Sequence, residues 1–454
     1  MRQFLALLAA KLTRLALRLT RRGGTALPGK VALKLCPDLL SRLSRRVDTV
    51  IVTGTNGKTT SCRIVEQLFV ETAYPYFANR GGANLKQGIT TEFAMNANIF
   101  GRPKKRYAVI ECDEAAMVQV CPEVKPKVIL MTNVFSDQLD RFGDVMTTLD
   151  AICRGMESSP DSVLCLNADC SLSASLPEKL KNRVVYYGVE CPVYKEQVQE
   201  TSDAPRCIHC GTEYEYTLRT YGHLGAFRCP KCGYERPHAD VAVTEIVHQG
   251  ADSTHVMIRL GEATVPAEIA VPGGYNIYNA AGAAAVGMAM DIDPLAILGA
   301  LANFHCGFGR MEKMDLNGVS ARMILVKNPA GCNQALNFLA NMEGDALFVV
   351  ALNDRTGDGT DVSWIYDADF EKLLTLGDRL KGIYCIGERG ADMAVRLKYA
   401  GFPLQKLRVF ADYDTLIDAV CSQHSPVVMM PTYSAMMDLR SALARRFGLK
   451  EFWE

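Results

Sequence analysis

The stretch V-T-G-T-N-G-K-T-T, residues 52–60, decides the fold class of this 454-residue chain. It is shorter than the usual phosphate loop, G-x-x-x-x-G-K-[ST], because Val52 stands where that pattern has its first glycine. A β-branched run, 49–53, precedes the loop, and a helix-compatible run, 61–71, follows it. A strand, a glycine loop and a helix in this order predict a site whose backbone N–H groups bind phosphate.

Each polar residue of the loop has a predicted role. Lys58 is long enough to reach the β- and γ-phosphates of a nucleotide, and the hydroxyl of Thr59 or Thr60 is a candidate ligand of Mg²⁺. A chance glycine turn before a helix is the alternative interpretation, against which the flanking strand and helix argue. The predicted ATP-binding residues of the loop are Gly54, Thr55, Asn56, Gly57, Lys58, Thr59 and Thr60.

Polar residues also end the later apolar runs of this part of the chain. Glu111 follows the run 107–110, and Asn133 follows the run 128–131 by two residues. Because open α/β sheets bind ligands at the carboxyl ends of their strands, this pattern predicts an α/β fold with a parallel, doubly wound sheet. Glu111 is a candidate Mg²⁺ ligand, and a carboxylate that caps the next helix is the alternative.

A second α/β domain is predicted after a change of composition near residues 304–311. Strand-like runs such as 346–352 and 427–430 alternate there with helix-compatible segments. The predicted organisation is an N-terminal basic amphipathic helical segment, 1–45; a central ATPase domain, 46–306, with an insertion at 201–238; and a C-terminal α/β domain, 307–454.

The insertion contains a cysteine pattern, C-x₂-C-x₁₈-C-x₂-C, that is typical of zinc ribbons. We expect a structural Zn²⁺, because four thiolates leave no position for a catalytic water; four buried cysteines without metal are the alternative. Basic residues are sparse between the cysteines, so a nucleic-acid-binding role is not favoured. The predicted zinc ligands are Cys207, Cys210, Cys229 and Cys232.

The overall composition fits a soluble globular protein. The formal net charge is zero and 48% of the residues are hydrophobic, which argues against wholesale nucleic-acid binding. Most of the sixteen cysteines are scattered through apolar runs, as expected of reduced thiols in a cytoplasmic protein.

The N-terminal segment is predicted to be a basic amphipathic helix. Its longest uncharged apolar run, 4–10, is too short to span a bilayer, and Lys11, Arg14, Arg18 and Arg22 recur at helical spacing. Two interpretations stay open: a helix packed on its own domain with a solvated basic face, or a basic face near anionic lipid at the cytoplasmic leaflet.

Six motifs occur in the order seen in Mur ligases, and the chain resembles this family over residues 49 to 335. In that family ATP phosphorylates a carboxylate to an acyl phosphate, and an amine then displaces the phosphate. The resemblance implies ATP and Mg²⁺ as cofactors and implies that Asn276, Asn279 and Arg310 contact ATP. The motifs are G-T-N-G-K-T-T (54–60), the strand-end Glu111, T-N-V-F-S-D-Q-L-D-R-F-G (132–143), Y-N-I-Y-N-A-A-G-A-A-A (275–285), F-G-R-M-E (308–312) and N-P-A-G (328–331).

Two positions depart from the family's pattern. Gln138 stands where Mur ligases usually carry a histidine near a second metal, and Lys327 replaces the usual histidine before N-P. We expect Lys327 to supply positive charge in place of that histidine or metal, which makes it a candidate catalytic residue beside Lys58 and Glu111. Only 53 residues precede Gly54, so we expect no UDP-binding domain before the loop.

The cysteine insertion, the missing UDP-binding domain and G-D-G-T-D-V-S-W-I-Y-D-A-D-F-E (357–371) resemble one two-subunit branch of the family. That branch amidates the α-carboxylate of D-glutamate in lipid II at the inner face of the cytoplasmic membrane. Its ammonia comes from a separate class I glutamine amidotransferase subunit, GatD. The resemblance implies a heterodimer in which Asp361 completes the Cys–His pair of the amidase. Asp354 and Asp358 are weaker candidates, and a solvated acidic loop is the other interpretation.

The residues themselves agree that this chain makes no ammonia. A class I glutaminase needs a cysteine nucleophile on a tight turn with a partner histidine, and no G-x-C-x-G turn occurs here. Five of the seven histidines lie between His209 and His255, in or beside the cysteine insertion. Two alternative functions remain: a ligase like folylpolyglutamate synthase, which uses an amino acid as nucleophile, and a zinc-ribbon nucleic-acid-binding ATPase.

Overall fold

The computed structural model describes residues 1–20, 24–79, 83–135, 145–194, 203–250, 252–305, 310–342 and 344–449. The chain forms two compact units, Met1–Ala270 with Tyr275–Phe304 and Val271–Gly274 with His305–Glu454. The N-terminal helical segment therefore belongs to the first unit. Among the described residues, none of the helices combines the length and the apolar character that crossing a membrane requires.

The first unit is built on a nine-stranded sheet whose central strands are parallel, as the sequence predicts. The last three strands of the unit extend this sheet at one edge by antiparallel pairing. Two earlier strands form a separate antiparallel hairpin. The strands are β1 (Asp48–Thr53), β2 (Tyr76–Ala78), β3 (Tyr107–Glu111), β4 (Val128–Met131), β5 (Val163–Asn167), β6 (Val184–Val189), β7 (Glu215–Tyr221), β8 (Leu224–Arg228), β9 (Val241–Gln249), β10 (Thr254–Leu260) and β11 (Ala263–Ile269).

Strand β1 is an interior strand of this sheet, third from the β2 edge. The order is β11-β10-β9-β6-β5-β4-β1-β3-β2, so the chain leaves β1 toward one edge and later continues on its other side at β4. Val50, Ile51 and Val52 are fully buried, as expected of a parallel strand covered on both faces. The crevice for a ligand in such a sheet lies at the carboxyl end of this strand, between β3 and β4.

Helices pack around the sheet of the first unit. Helix α4 begins directly after the glycine loop that follows β1, which confirms the predicted strand–loop–helix order. The helices are α1 (Arg2–Leu19), α2 (Leu27–Leu35), α3 (Leu39–Ser44), α4 (Lys58–Glu71), α5 (Lys86–Asn96), α6 (Met117–Val124), α7 (Val145–Glu157), α8 (Ser171–Ala174), α9 (Gly274–Ala289) and α10 (Pro294–Ala302).

Helix α1 is held on the first unit by apolar packing and by the hydrogen bonds of one lysine. It contacts α2 and α5, and Ala6, Leu7 and Ala10 on its inner side are fully buried. The Lys11 ammonium donates to the carbonyls of Ala94 (3.1 Å) and Ala97 (2.7 Å) at the end of α5. Burial beside these carbonyls, with Lys104 nearby, lowers the pKa of Lys11. Lys11 therefore faces the protein, Arg14 is half-buried, Arg18 is exposed, and Arg22 lies outside the described residues.

The second unit contains a six-stranded sheet of order β12-β13-β17-β14-β15-β16, parallel except for the β12–β13 pair. Its strands are β12 (Arg310–Leu316), β13 (Val319–Ile324), β14 (Ala346–Ala351), β15 (Leu380–Ile386), β16 (Leu407–Val409) and β17 (Val427–Pro431). Its helices are α11 (Pro329–Ala340), α12 (Gly390–Tyr399), α13 (Tyr413–Ser422) and α14 (Tyr433–Phe447).

The second unit has its own apolar core. Leu347 and Val349 of β14 pack there with Leu416 of α13 and Leu439 of α14, all of them less than 2% exposed. Helices α11 and α13 begin at side-chain caps. Asn328 accepts from the N–H of Gly331 at the start of α11, and Asp412 accepts from the N–H of Thr415 at the start of α13. The second unit, Val271–Gly274 with His305–Glu454, thus has a sheet and a core of its own.

Candidate active site

The glycine loop after β1 requires both of its glycines. Gly54 has φ +115° and Gly57 has φ +86°, backbone conformations that residues other than glycine rarely adopt. A Cβ atom at Gly54 would lie 2.3 Å from Oγ1 of Thr132, and one at Gly57 would lie 2.1 Å from Oδ1 of Asn279. The loop is therefore in tight contact with the end of β4 and with α9.

The residues after β4 hold this loop through side-chain and backbone hydrogen bonds. Asn133 accepts from the N–H of Asn56 (3.0 Å) and donates to its carbonyl (3.1 Å), while the carbonyl of Asn133 accepts from the N–H of Thr55 (2.9 Å). The hydroxyl of Thr55 donates to the carbonyl of Phe135 and accepts from its N–H. The backbone that would surround a phosphate thus has a defined shape.

Lys58 is held by the loop and by a carboxylate. Its Nζ atom lies 2.5 Å from the Gly54 carbonyl, 3.3 Å from the Thr55 carbonyl and 2.9 Å from Oε1 of Glu114. The two side chains of the ion pair are 11% and 8% exposed. The predicted catalytic lysine is therefore at the loop, and its carboxylate partner is Glu114.

Glu111 lies on the other side of the loop, against a threonine. Its Oε2 atom accepts from the hydroxyl of Thr59 at 2.9 Å, whereas Thr60 is buried. Asn79 holds the backbone of Glu111, accepting from its N–H (2.8 Å) and donating to its carbonyl (2.7 Å). Of the two threonines that the sequence leaves open as Mg²⁺ ligands, the structure brings Thr59 to Glu111.

Two asparagines of α9 also lie at the loop. Asn279 accepts from the hydroxyl of Ser61 (3.2 Å) and donates to Oδ1 of Asn276 (2.9 Å), and both amides are buried. These are the predicted nucleotide contacts of the Y-N-I-Y-N motif. The structure brings them together with Gly57 and the start of α4.

A buried polar network lies beside this site. Arg236 donates to Oδ1 of Asp169 at 2.5 Å, and the hydroxyl of Tyr278 donates to Oδ2 at 2.7 Å. The same hydroxyl lies 2.8 Å from Oγ1 of Thr220. Burial and the Asp169 carboxylate raise the pKa of Tyr278, so its proton stays in place. Because Tyr278 is next to Asn279, the network joins β7 to the loop's surroundings.

Four cysteine sulfurs converge in the insertion, as predicted. They lie within 4.8 Å of one another, with Cys207 and Cys232 3.5 Å apart and Cys210 and Cys229 3.4 Å apart. Hydrogen bonding with Thr212 lowers the pKa of Cys210 to about 6, whereas burial and the neighbouring thiols raise the pKa of Cys232 to about 12. The donor set fits a tetrahedral thiolate site.

Two equivalent turns present these cysteines. In one, the N–H of Gly211 donates to the carbonyl of Cys207; in the other, Gly233 donates to Cys229. Both glycines have positive φ, +71° and +79°, and a Cβ atom on either would meet open space. Backbone conformation rather than crowding therefore requires glycine. An aromatic cluster that includes Phe227 packs beneath the turns.

The second unit carries the acidic segment. Asp361 is exposed and accepts from the N–H of Ser363, which lowers its pKa. Asp358 is buried and accepts from the N–H and the hydroxyl of Ser434. Asp354 forms an ion pair with Arg389, whose Nη1 atom lies 3.1 Å from Oδ2 of the aspartate. Of the three aspartates weighed from the sequence, Asp361 is the one whose carboxylate faces solvent.

The remaining predicted site residues lie in the second unit or outside the described part of the chain. Lys327 lies in the segment that connects β13 to α11, and its side chain is half-buried. The side chain of Arg310 and the segment 136–144, which includes Gln138, are outside the described residues.

Sequence reasoning missed three residues that shape the site: Glu114, Asn133 and Asn79. Asn133 is one of the polar strand-end residues of the sequence analysis and Glu114 comes three residues after Glu111, so the signal was present although no role was assigned to either. Asn79 follows a three-residue strand and had no such signal.

Comparison with solved structures gives the class of the fold. A pseudomurein peptide ligase type C from Methanothermus fervidus matches with a TM-score of 0.68 and 19% identity, covering 90% of this chain and 81% of that one. Residues 52–229 match the family described as Mur ligase middle domain. The chain thus has the α/β fold of a Mur-type ligase.

More similar relatives specify the family. Subunit MurT of lipid II isoglutaminyl synthase (glutamine-hydrolyzing) from Streptococcus pneumoniae strain R6 is 31% identical over 97% of each chain. The subunit of the same name from Staphylococcus aureus strain COL is 31% identical over 98% of this chain and 99% of that one. Residues 325–436 match the family described as MurT ligase C-terminal. The chain belongs to the MurT family of ligases.

Proposed function

We propose that this chain activates the α-carboxylate of D-glutamate in the lipid II stem peptide and amidates it. A carboxylate oxygen attacks the γ-phosphorus of ATP, so that an acyl phosphate forms and ADP leaves. Ammonia then attacks the acyl carbon, the carbon–oxygen bond to phosphate breaks, and the nitrogen loses a proton to leave D-isoglutamine. The names of the two MurT relatives support this substrate and this product.

The observation that carries the proposal is the pairing of the glycine loop with two carboxylates. Lys58 lies at the loop, where its ammonium can contact phosphate oxygens, and the first N–H groups of α4 can donate to them, since those of Thr55 and Asn56 are bonded to Asn133. Thr59 and Glu111 present oxygen atoms, the ligands that Mg²⁺ prefers, at one side of the loop. When bound, Mg²⁺ would neutralise phosphate charge between nucleotide and substrate.

Glu114 has a separate role in this proposal. Its carboxylate balances the Lys58 ammonium in a site that is nearly closed to solvent. A phosphate oxygen can take over that charge when ATP binds, because the lysine keeps its position through the loop carbonyls. Glu114 is therefore a positioning residue of Lys58 and not a metal ligand.

We infer that the four cysteines hold a structural Zn²⁺. All four positions of a tetrahedral site would be filled by protein, so the metal would fold the insertion and activate no water. Metal analysis of the purified chain should give one zinc per molecule. An EDTA-treated chain that keeps its fold and its activity would contradict this role.

The ammonia is proposed to come from a GatD-type glutaminase subunit in a heterodimer. Burial raises the pKa of Cys332, the nearest candidate for a glutaminase cysteine, to about 12, so this thiol stays protonated and unreactive. The exposed carboxylate of Asp361 is available to orient a histidine of a partner. We place the reaction at the inner face of the cytoplasmic membrane, where the lipid-linked substrate would be encountered.

The proposal is tested by ATP hydrolysis with the chain and a GatD-type subunit together. Wild type should release ADP in the presence of lipid II and glutamine, and mass spectrometry should detect amidated lipid II. Lys58→Ala should lower the rate about 100-fold or more, because it removes a charge from the phosphates. Lys86→Ala, which breaks an ion pair with Glu123 away from the loop, serves as the control.

Other outcomes select the alternative functions. ADP release that requires glutamate and a folate, and not glutamine, would assign the chain to folylpolyglutamate synthase chemistry. ATP hydrolysis stimulated by DNA or RNA in a salt-dependent manner would assign it to the nucleic-acid-binding class. Lys327→Ala with unchanged ATP turnover would remove Lys327 from the active site.

A further inference from the structure

The outer side of helix α1 is an apolar face without a covering element among the described residues. The inner side packs on α2 and α5, with Ala6, Leu7 and Ala10 at 0% exposure, whereas Leu12, Leu15 and Leu19 are 56%, 54% and 78% exposed. The exposed large apolar residues of α1 and its cap are Met1, Phe4, Leu5, Leu8, Leu12, Leu15 and Leu19. We call this set the leucine face.

The spacing of the leucine face makes it a single stripe. Apart from the adjacent pair Phe4 and Leu5, successive members are separated by three or four residues, which places them within one side of an α-helix. Over 18 residues the stripe is about 27 Å long at 1.5 Å per residue. Because the opposite side of α1 is packed and Lys11 fastens it to α5, the stripe lies flat on the outside of the unit.

A loop beside α1 adds a second exposed apolar group. Phe100 is 74% exposed, and its carbonyl accepts from Nε2 of Gln3 at 3.5 Å, so the loop lies next to the start of α1. The side chain of Asn98 accepts from the N–H groups of Phe100 (2.9 Å) and Arg102 (3.0 Å), which shapes a tight turn. The aromatic ring is presented outward by this turn.

The charge around these apolar groups is strongly positive. Residues 1–46 contain eleven lysines and arginines and one aspartate, a formal net charge of +10 in a chain whose total is zero. That aspartate, Asp38, is already paired with Arg42 at 2.7 Å. The exposed residues Arg102, Lys104, Lys105 and Arg106 follow directly after Phe100.

We propose that the leucine face and Phe100 dock this protein on an anionic phospholipid bilayer. The apolar side chains would enter the boundary between head groups and acyl chains, and the surrounding basic residues would contact anionic head groups. The charge favours a lipid surface over a second copy of this chain, since two copies would bring two strongly positive segments together. The proposal does not rest on the proposed reaction, because vesicle binding needs neither ATP nor substrate.

Sedimentation with vesicles tests the proposal on the full chain. Vesicles of phosphatidylglycerol and phosphatidylcholine should bind wild type, and pure phosphatidylcholine vesicles should bind it at least about tenfold more weakly. The double variant Leu12→Gln/Leu15→Gln should bind mixed vesicles about tenfold more weakly than wild type. The matched control is Leu295→Gln, at a leucine of α10 that is 76% exposed and belongs to no apolar stripe.

A charge variant keeps the test decisive if the leucine variant folds poorly. Arg2→Glu/Arg18→Glu changes two exposed residues of α1 and should abolish the preference for anionic vesicles while leaving the circular dichroism spectrum unchanged. Absent binding, or equal binding of wild type to both vesicle types, would overturn the proposal. Leucine substitutions that dissociate a dimer and leave vesicle binding unaffected would also overturn it and assign the face to a second copy.

Discussion

The ion pair between Lys58 and Glu114 is a single contact on which the shape of the nucleotide site depends. Both side chains are nearly buried, so Glu114→Gln removes the carboxylate that pairs with the Lys58 ammonium, while the carbonyls of Gly54 and Thr55 remain as acceptors. We expect the free energy of unfolding to fall by about 1–3 kcal/mol, as measured by urea titration. Glu123→Gln breaks a pair that is 22% exposed on both sides and should cost less than about 1 kcal/mol. Equal losses in the two variants would contradict the assigned role of Glu114.

His223 makes the stability of the first unit depend on pH. Burial, with a smaller effect of Arg219, lowers the pKa of His223 to about 3, and its ring lies 4.5 Å from that of Phe135. In the unfolded chain a histidine has a pKa near 6.5. Between these two values the unfolded chain binds one more proton than the folded chain. The free energy of unfolding therefore falls as the pH drops below 6.5, by about 1 kcal/mol per pH unit, and this contribution is constant above pH 6.5.

Urea unfolding at pH 7.5 and pH 5.5 measures this effect. His223→Gln should lose less stability between the two pH values than wild type does, by about 1 kcal/mol. His255→Gln, at an exposed histidine, should behave like wild type. All three proteins keep the four cysteines, so any effect of metal loss cancels in the difference. Identical pH dependence in wild type and His223→Gln would show that the buried ring is not the cause.

The sequence allowed the loop residues to be predicted because they are consecutive. Val52, the two glycines and Lys58 lie in one short stretch, so local geometry relates them directly. The choice between Glu111 and Glu114 as the partner of Lys58 was not accessible, because the turn between them directs each carboxylate to a different side of the loop. Distinguishing Thr59 from Thr60 required knowledge of which side of α4 faces the sheet.

Among the elements, the hairpin of the cysteine insertion has an effect beyond its own fold. Strand β7 carries Thr220, whose hydroxyl meets Tyr278 of α9, one residue before the nucleotide-site Asn279. Thr220→Val keeps the shape and removes the hydroxyl. We expect the KM for ATP to rise a few-fold with the zinc content unchanged, because α9 loses a polar contact that positions it. Steady-state ATP hydrolysis and metal analysis give the two readouts.

Thr217→Val is the matched control for this prediction. Thr217 lies on the same strand but is exposed, so the substitution should leave the KM for ATP unchanged. If Thr220→Val also behaved like wild type, the contact with Tyr278 would be structural without influence on the nucleotide site.

Helix α1 shows what periodicity predicts and what it does not. The spacing of Lys11, Arg14 and Arg18 predicted a helix, and residues 2–19 form one. The same spacing suggested a solvated basic face, yet Lys11 is directed at the end of α5 and leucines occupy the outer side. The orientation of an amphipathic helix depends on which neighbours its small residues, such as Ala6 and Ala10, can approach closely, and these neighbours are distant in sequence.

For the molecule as a whole, the proposed separation of ligase and glutaminase chemistry onto two subunits gives a direct prediction. Asp361→Asn should abolish ATP hydrolysis driven by glutamine and leave hydrolysis driven by ammonium chloride unchanged, because the amide cannot stabilise a partner histidine that becomes charged. Rates with each nitrogen source, in the presence of the GatD-type subunit, give the measurement. Asp367→Asn, at another exposed aspartate of the segment, is the control. Loss of both activities in Asp361→Asn would indicate a role in the ligase reaction.

The class of fold was accessible from sequence because its signals repeat. Three apolar runs in the first half, 49–53, 107–110 and 128–131, predicted β1, β3 and β4 of the parallel sheet, and runs beyond residue 311 predicted strands of the second sheet. The antiparallel extension β9–β11 was not predicted, since its strands alternate polar and apolar residues as solvent-exposed strands do. The short edge strand β2 was also missed, because three residues carry too little pattern.

The charge of the first 46 residues has a practical consequence for anyone purifying this protein. The remainder of the chain carries −10, so positive charge is concentrated in one segment of a protein whose isoelectric point is near 7.0. At neutral pH and low ionic strength it should be retained by both cation and anion exchange resins, each holding a different region. The salt concentration that elutes the protein from each resin reflects how accessible its basic or its acidic region is. Removal of α1 should weaken retention on the cation exchanger.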